Sequence, residues 1–390
     1  MSVTAAAGFQ AAGIACGIKQ DPPAPDLALV CTDDSVAVPA AAVFTSNRAA
    51  AAPVEVSRGH LAATGGRVAA VVLNSGNANA ATGFAGRAHA ERACAVVAGL
   101  LGCAPEEVLV CSTGLIGIPF PMDAVESGIP PLVDGRAAGA AAGEAAADAI
   151  RTTDTVAKQV TVARDGFTVG GMAKGAAMLA PDMATMLAVL TTDAAVGPAE
   201  LGGALAVAVD RSFNRVSVDG CTSTNDTVVA LASGRGAVPS GTALTEALTA
   251  ACADLAAQMA DDAEGATKVV TVRVVGAASD EEARRAARKV AESQLVKCSL
   301  YGGDPYWGRV VSELGSAGVT FAADLVEVAY GGIVVCAGGV AAEHDRDAVE
   351  SHLKGRHVEV RASLGLGSGD ASVLTNDLTP DYIAENMRTS

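Results

Sequence analysis

A threonine lies between a proline turn and an apolar, β-branched run in the stretch MLAPDMATMLAVLTTDA, residues 178–194. The small side chain of Ala184 would let the hydroxyl of Thr185 approach the carbonyl carbon that joins the two residues. Scission of that bond would create an N-terminal threonine, which carries a nucleophile and an amine of pKa about 7.7–8.0 on one residue. Alone the pattern is weak, because a threonine that begins a strand is usually explained by β propensity. It predicts a self-cleaving nucleophile only if other residues complete the site.

Motifs for other chemistries are missing. The sequence has no GxxxxGK[ST] phosphate loop and no HExxH zinc helix. The glycines of SLGLGSGD (363–370) lack the following helix that a dinucleotide loop requires, so we expect a turn there. The histidines are scattered and have no serine or cysteine partner motif; they are His60, His89, His344, His352 and His357. A nucleophile in this chain therefore needs a base other than histidine.

Composition restricts the class of protein. The 390 residues are too many for one ordinary core and predict two or three packed units, and with 3% aromatics the core must be built from small and branched aliphatic side chains. A net charge of −16 disfavours nucleic acid and anionic membranes as partners. The nine cysteines form no CxxC pair, and the chain begins without a leader of secretory type and has no apolar run of the ~20 residues that span a bilayer. We expect a cytoplasmic protein that acts on small molecules.

Strand and helix signals alternate along the chain. The segments predicted as strands are apolar runs that stop at turn residues, and a hairpin is expected around Asp165-Gly166. A capping box of Ser279 and Glu282 predicts a helix that runs from 280 to Lys297. The expected strands are 26–31, 67–74, 107–114 and 268–276, and the expected helices are 89–102, 137–150 and 241–262. The alternation predicts an α/β or α+β fold with strands between helical layers.

Eight ordered blocks carry a resemblance to a known family. They are NSGNANAATG (74–83), STGLIG (112–117), RTTDT (151–155), GGMAKGAAMLAPDMATMLAVLTTDA (170–194), SFNRVSVDGCTSTNDT (212–227), DDAEGATK (261–268), LVKCSLYGGDPYWGRV (295–310) and TNDLTPDYIAENMRTS (375–390). On these blocks the sequence resembles the ornithine acetyltransferases, the bifunctional glutamate N-acetyltransferases of arginine biosynthesis. The resemblance implies a layered α/β sandwich with a smaller C-terminal α/β domain over about 275–390. It also implies an alpha chain 1–184 and a beta chain 185–390 that stay associated as α2β2.

The resemblance assigns roles to individual residues. Thr185 corresponds to the self-generated nucleophile, and Thr113 with Gly114 to the oxyanion hole, although STG alone would be an ordinary strand-ending turn. A cation at Lys174 and an anion at Glu264 suit the carboxylate and ammonium groups of an amino-acid substrate. The positions that correspond to substrate contacts are Thr152, Lys174, Thr185, Glu264, Asn386 and Ser390. Motif order selects Thr152 over Thr153, and Thr389 is an alternative to Ser390.

Some positions depart from the family's pattern. Ala180 and Asp182 replace the histidine and asparagine that commonly precede the scissile bond, and Cys221 stands where an acidic residue is usual. These changes leave the nucleophile and the oxyanion hole in place. We expect them to affect the rate of self-cleavage and the substrate preference.

The implied activity is acetyl transfer from N2-acetyl-L-ornithine to L-glutamate through an acetyl-threonine, with acetyl-CoA as a further candidate donor. No metal or organic cofactor is implied. Two alternatives stay open: a self-cleaving amidase or aminopeptidase, in which water replaces glutamate, and a non-catalytic binding protein of the same fold.

Overall fold

The computed structural model describes residues 2–19, 24–178 and 186–387. Chain contacts divide it into two compact units, Met1–Asn214 with Cys221–Met259, and Arg215–Gly220 with Ala260–Ser390. A short strand at Val216–Ser217 joins the sheet of the second unit. The C-terminal domain expected over about 275–390 stays a prediction. The predicted chains 1–184 and 185–390 are a different division and stay a prediction.

The described residues form strands and helices in alternation. The strands are β1 (Phe9–Ile14), β2 (Leu27–Thr32), β3 (Val38–Phe44), β4 (Arg67–Val68), β5 (Ala70–Asn74), β6 (Val108–Ser112), β7 (Lys158–Arg164), β8 (Phe167–Lys174), β9 (Leu187–Thr192), β10 (Val216–Ser217), β11 (Thr227–Ala232), β12 (Val269–Ala277), β13 (Glu327–Tyr330), β14 (Ile333–Ala337), β15 (Val340–Ala341), β16 (His357–Ser363) and β17 (Gly369–Asn376). The helices are α1 (Ala52–Ala63), α2 (Gly83–Leu101), α3 (Met122–Asp134), α4 (Ala140–Ala149), α5 (Pro198–Arg211), α6 (Ala243–Asp261), α7 (Asp280–Ala291), α8 (Gln294–Tyr301), α9 (Trp307–Gly315), α10 (Arg346–Leu353) and α11 (Pro380–Asn386).

The first unit contains two sheets. One has the order β1-β2-β5-β6, and the other has the order β4-β3-β11-β9-β8-β7. Along β2 the side chains alternate between two cores: Ala28 and Val30 pack with residues of the second sheet, whereas Leu27 and Leu29 pack with residues of α2 and α3. Because both faces are buried, the strand is a continuous apolar run rather than an alternating one. The predicted α/β class with layered sheets and helices is confirmed.

The second unit is built on one sheet of order β10-β17-β12-β16-β13-β14-β15. Its apolar core combines alternate residues of β12 with the buried face of α7. The SLGLGSGD segment connects β16 to β17 and no helix follows it, so the predicted turn is confirmed.

The predicted helix from 280 to Lys297 is wrong in its extent. The Ser279 hydroxyl accepts the Glu282 N–H at 3.2 Å, as the capping box predicts, but the Glu282 carboxylate accepts the Thr320 N–H instead of returning to the cap. The helix ends at Ala291, because Ser293 begins α8 by accepting the Val296 N–H with its side chain. A second N-cap therefore interrupts a run whose composition is helical throughout.

Within the described part of the chain, no helix has the length and apolar character needed to cross a bilayer.

Candidate functional site

The turn after β6 carries Thr113 and Gly114. Gly114 has φ +128°, and a Cβ atom built there would lie 2.3 Å from the carbonyl carbon of Gly76. A side chain is therefore excluded both by the backbone conformation and by the neighbouring peptide. The glycine lets two backbone segments approach closely and fixes where the peptide of residues 113 and 114 lies.

Thr113 has one donor in use and one available. Its backbone N–H donates to the Asn74 carbonyl oxygen at 3.0 Å. Its hydroxyl makes no hydrogen bond with any residue that the structure describes, although the residue is only 3% exposed. A hydroxyl that no described residue engages is available as a donor for a developing negative charge. This arrangement suits the oxyanion role that the resemblance assigns to Thr113.

Amide side chains hold this turn in place. The Ser112 hydroxyl donates to Asn74 Oδ1 at 2.6 Å, and Asn74 Nδ2 donates to the Asn77 carbonyl at 2.8 Å. Asn225 Nδ2, at the start of β11, donates to the carbonyls of Ala78 and Ser112 at 2.6 and 2.9 Å. The blocks NSGNANAATG and STNDT are thus linked, and the second sheet is tied to the end of β6 in the first.

The start of β9 is held by a carboxyl group. Asp226 Oδ1 accepts the backbone N–H of Met186 at 2.8 Å, and both residues are buried. Burial raises the pKa of Asp226 well above its ordinary value, whereas the Met186 N–H, the Lys174 ammonium and Ser223 act in the opposite direction. The residue that follows Thr185 in the sequence is therefore fixed by the acid that precedes β11.

Lys174 ends β8 in a buried cluster of charges. Its Nζ lies 3.9 Å from Asp154 Oδ2, and Lys158 Nζ lies 2.6 Å from Asp154 Oδ1. Burial alone would raise the pKa of Asp154, but the charges of Lys174 and Lys158 and the Gly175 N–H hold it below its ordinary value. Asp154 therefore faces two lysine side chains in a buried setting, and a lysine ammonium is a group that can pair with a substrate carboxylate.

Thr152 belongs to the same cluster. Its backbone N–H donates to Asp154 Oδ2 at 3.1 Å, and the residue is half-buried, whereas Thr153 is exposed. Asp154 therefore connects the segment that contains Thr152 to the end of β8.

Glu264 and Asn386 contact each other in the second unit. Asn386 Nδ2 donates to Glu264 Oε2 at 2.8 Å. Glu264 also lines a cavity of about 170 Å³ with Asp219, Asn376 and Lys297, and burial lowers the pKa of Lys297 to about 8. Two predicted substrate contacts are thus brought together at an acidic wall.

Comparison with known proteins decides the family. The family model described as the ArgJ family matches residues 10–389. The chain belongs to the ArgJ family. Relatives named arginine biosynthesis bifunctional protein ArgJ are 48% identical over 393 residues in Thermobifida fusca and 49% identical over 391 residues in Streptomyces avermitilis, and each alignment covers 100% of both chains. The expected recognition, and with it an acyltransferase of arginine biosynthesis, is confirmed.

Solved structures of the ArgJ family also match. A crystal structure of the bifunctional ArgJ protein from Bacillus halodurans is 37% identical, with a TM-score of 0.48, and covers 50% of this chain and 95% of that one. The ornithine acetyltransferase of Mycobacterium tuberculosis, complexed with ornithine, is 48% identical, with a TM-score of 0.44, and covers 46% of this chain and 94% of that one.

Several predicted positions lie outside the described residues of this ArgJ family member. These are the scissile pair Ala184 and Thr185, the departures Ala180 and Asp182, and the terminal Thr389 and Ser390. Cys221, the third departure, is exposed. The roles of all predicted site residues stay predictions.

Sequence reasoning missed three charged residues at the site. Asp154, Lys158 and Asp226 are buried and link positions that the ArgJ resemblance had singled out. Asp154 lies in the block RTTDT and Asp226 in STNDT, so a signal was present. Asp226 directly precedes the apolar run of β11, and an acid buried at such a place is costly unless it has a partner.

Proposed function

We propose that this chain cuts itself between Ala184 and Thr185 and then transfers an acetyl group from N2-acetyl-L-ornithine to L-glutamate through an acetyl-Thr185 intermediate. Membership of the ArgJ family supports the reaction class. The observation that carries the mechanism is the position of Thr113: it directly follows the end of β6, where the resemblance sets the oxyanion hole, and its hydroxyl makes no hydrogen bond with the described residues.

The chemistry needs no imidazole. The Thr185 hydroxyl bonds to the acetyl carbonyl carbon, and its proton passes to the α-amine of the same residue. The oxyanion is stabilised by the Thr113 hydroxyl and the Gly114 backbone. The amine then gives the proton to the departing ornithine nitrogen. Glutamate attacks the acetyl ester in the reverse sense, which predicts ping-pong kinetics. The scheme uses no metal and no organic cofactor.

The charged cluster and the acidic wall supply the proposed substrate contacts. Lys174, supported by Asp154, would take a substrate carboxylate, with Thr152 beside it. Glu264, held by Asn386, would take an ammonium group. Ser390 completes the proposed set from the C-terminal end. The same proposal includes acetyl-CoA as a candidate further donor. It also includes an α2β2 assembly in the cytoplasm.

The test is a comparison of Thr185→Ala with Thr185→Ser in the full chain. We expect Thr185→Ala to stay one 38.5 kDa species without acetyl transfer, since it lacks the hydroxyl. The serine variant keeps the hydroxyl and should retain measurable cleavage and transfer. Intact mass spectrometry and labelled acetyl-ornithine measure both, and label should appear on the fragment that begins at residue 185.

Other outcomes would replace the proposal. Transfer at the normal rate by Thr185→Ala would reject the nucleophile. Hydrolysis of peptide amides without acetylation of glutamate would assign an amidase or aminopeptidase. A wild-type chain that stays intact and inactive would assign a non-catalytic binding protein.

A further inference from the structure

Asp226 occupies a defined place in the sheet of the first unit. β11 pairs with β9 in parallel, and the ladder begins with Thr227 opposite Leu187. Asp226 therefore lies beside Met186, one step before the ladder, and its Oδ1 accepts the Met186 N–H at 2.8 Å. Its position is fixed by the register of two central strands.

The second carboxyl oxygen of Asp226, Oδ2, accepts no backbone N–H in this way. Asp226 is fully buried, and Oδ2 makes no hydrogen bond of acceptable geometry with any residue that the structure describes. An unsatisfied buried carboxyl oxygen is costly, so its persistence in a folded protein calls for an explanation, and a catalytic role is one that its chemistry allows. The packing of β9 against β11 needs only Oδ1, so it does not explain the carboxyl's second oxygen.

The surroundings of Asp226 keep its carboxyl group protonated up to a higher pH than in an ordinary aspartic acid. Burial is the largest influence and raises the pKa of Asp226. The Lys174 ammonium on β8, Ser223 and the Met186 N–H face the carboxyl and oppose this effect without cancelling it. In the protonated state Oδ2 is a donor.

The hydrogen-bond partner of Asp226 directly follows the scissile pair in the chain. Met186 N, whose N–H donates to Asp226 Oδ1 at 2.8 Å, is covalently bonded to the carbonyl carbon of Thr185. No other carboxyl group is hydrogen-bonded to Met186 in the described parts of the chain.

We propose that Asp226 is the acid–base residue of the self-cleavage step, an inference that rests on the proposed function. The Thr185 Oγ–Ala184 carbonyl carbon bond forms, and the bond from that carbon to the Thr185 nitrogen breaks. Asp226 gives its proton to the departing nitrogen and receives the proton of the Thr185 hydroxyl, so the neutral acid is restored. Water then hydrolyses the ester and leaves the Ala184 carboxylate and a free threonine amine.

The test uses Asp226→Asn in the full-length chain, made by cell-free synthesis. Asparagine keeps the size of the side chain and an oxygen for the Met186 N–H, but it cannot shuttle a proton. After a pulse of labelled amino acid, mass analysis follows the appearance of the two fragments. We expect cleavage to slow by about 100-fold or more, the contribution typical of a positioned acid–base group.

Asp193→Asn is the matched control. Asp193 is also a buried acid, next to the end of β9, but its two oxygens accept the backbone N–H groups of Thr168 and Ala7 at 2.7 and 3.2 Å. We expect it to cleave at the wild-type rate, with circular dichroism to confirm that both variants fold. Equal slowing of both variants would overturn the inference, because the effect would then come from loss of any buried carboxyl.

The remaining outcomes separate the two proposals. If the wild type and Asp226→Asn cleave at the same rate, the acid–base role of Asp226 is overturned and the proposed function stays intact. If the wild-type chain never cleaves, the proposed function itself is overturned. If Asp226→Asn does not fold, the wild-type pH profile decides. The shuttle needs the protonated carboxyl, so the cleavage rate should fall as pH rises through the raised pKa. A rate that increases steadily from acid to alkaline pH would overturn it.

Discussion

Replacement of Thr113 by valine separates the chemistry of the site from its stability. Valine keeps the branched shape of threonine, and the backbone N–H that donates to Asn74 is unchanged. The only group lost is a hydroxyl that makes no hydrogen bond with the described residues. The free energy of unfolding should therefore stay the same or rise slightly, since no folded-state interaction is removed.

The effect on acetyl transfer should be large. Loss of one donor to a developing oxyanion costs about 10²–10³ in kcat, which corresponds to about 2.7–4 kcal/mol. We expect the rate of acetyl transfer per cleaved chain to fall by that factor, with the fraction of cleaved chain measured by intact mass and the transfer by labelled acetyl-ornithine.

Thr192→Val is the control with the opposite pattern. Thr192 is buried at the far end of β9; its hydroxyl donates to the Thr168 carbonyl at 2.8 Å and accepts the Ala194 N–H at 3.2 Å. Its loss should lower the free energy of unfolding by about 1–3 kcal/mol and leave the rate per folded, cleaved molecule unchanged. If Thr113→Val transfers acetyl within threefold of wild type, or if both variants lose the same amount of stability, the assignment of the Thr113 hydroxyl to the oxyanion is refuted.

Two further substitutions test the supports of the site. Gly114→Ala should unfold at a lower urea concentration than Gly117→Ala. Both residues have a positive φ, which costs about 1–3 kcal/mol once a side chain is present. Only at Gly114 would the new Cβ also lie 2.3 Å from a backbone atom. Asp154→Ala should lower the free energy of unfolding by about 3–5 kcal/mol because it leaves the buried Lys158 without its carboxylate, whereas Asp148→Ala, which breaks a half-exposed pair with Arg151, should cost less than about 1 kcal/mol. Since the folded pKa of Asp154 lies below its ordinary 3.8, its contribution is present above that pH and is lost as the pH falls; the acid-side slope of stability against pH should be smaller in the variant, and an unchanged slope would contradict this account.

The sequence predicted those parts of the fold that depend on neighbours along the chain. The hairpin around Asp165-Gly166 and the strand predicted over 107–114 follow from β-rich runs and turn residues. The hairpin is present as β7–β8, and the strand is present as the shorter β6. The helix from 280 failed at Ser293 because its composition stays helical across the break. Only the side-chain bond to Val296 begins a new helix there, and a serine inside a helical pattern does not reveal that choice.

The buried charges could not be predicted in the same way. Asp154 and Lys158 are four residues apart, a spacing that on a helix would indicate an exposed pair. Here Asp154 lies in the segment before β7, Lys158 is the first residue of β7, and both are buried. Their burial depends on Lys174, which belongs to a strand on the far side of a hairpin. The hydrogen bond of Asp226 to the Met186 N–H likewise forms only when β11 lies beside β9. These contacts depend on register between strands, which local patterns do not specify.

The same register explains how a cut chain would hold together. β9 belongs to the fragment 185–390, and it pairs along its whole length with β8 of the fragment 1–184, from Lys174 opposite Leu187 to Val169 opposite Thr192. β11 of the later fragment pairs with β3 of the earlier one. A cut before Thr185 precedes the first of these ladder pairs and breaks none of their hydrogen bonds. Separation of the fragments would instead expose the edges of four strands from the middle of one sheet, together with the apolar faces that β9 and β11 bury, so cleavage would free the threonine amine while the fold that positions it stays intact.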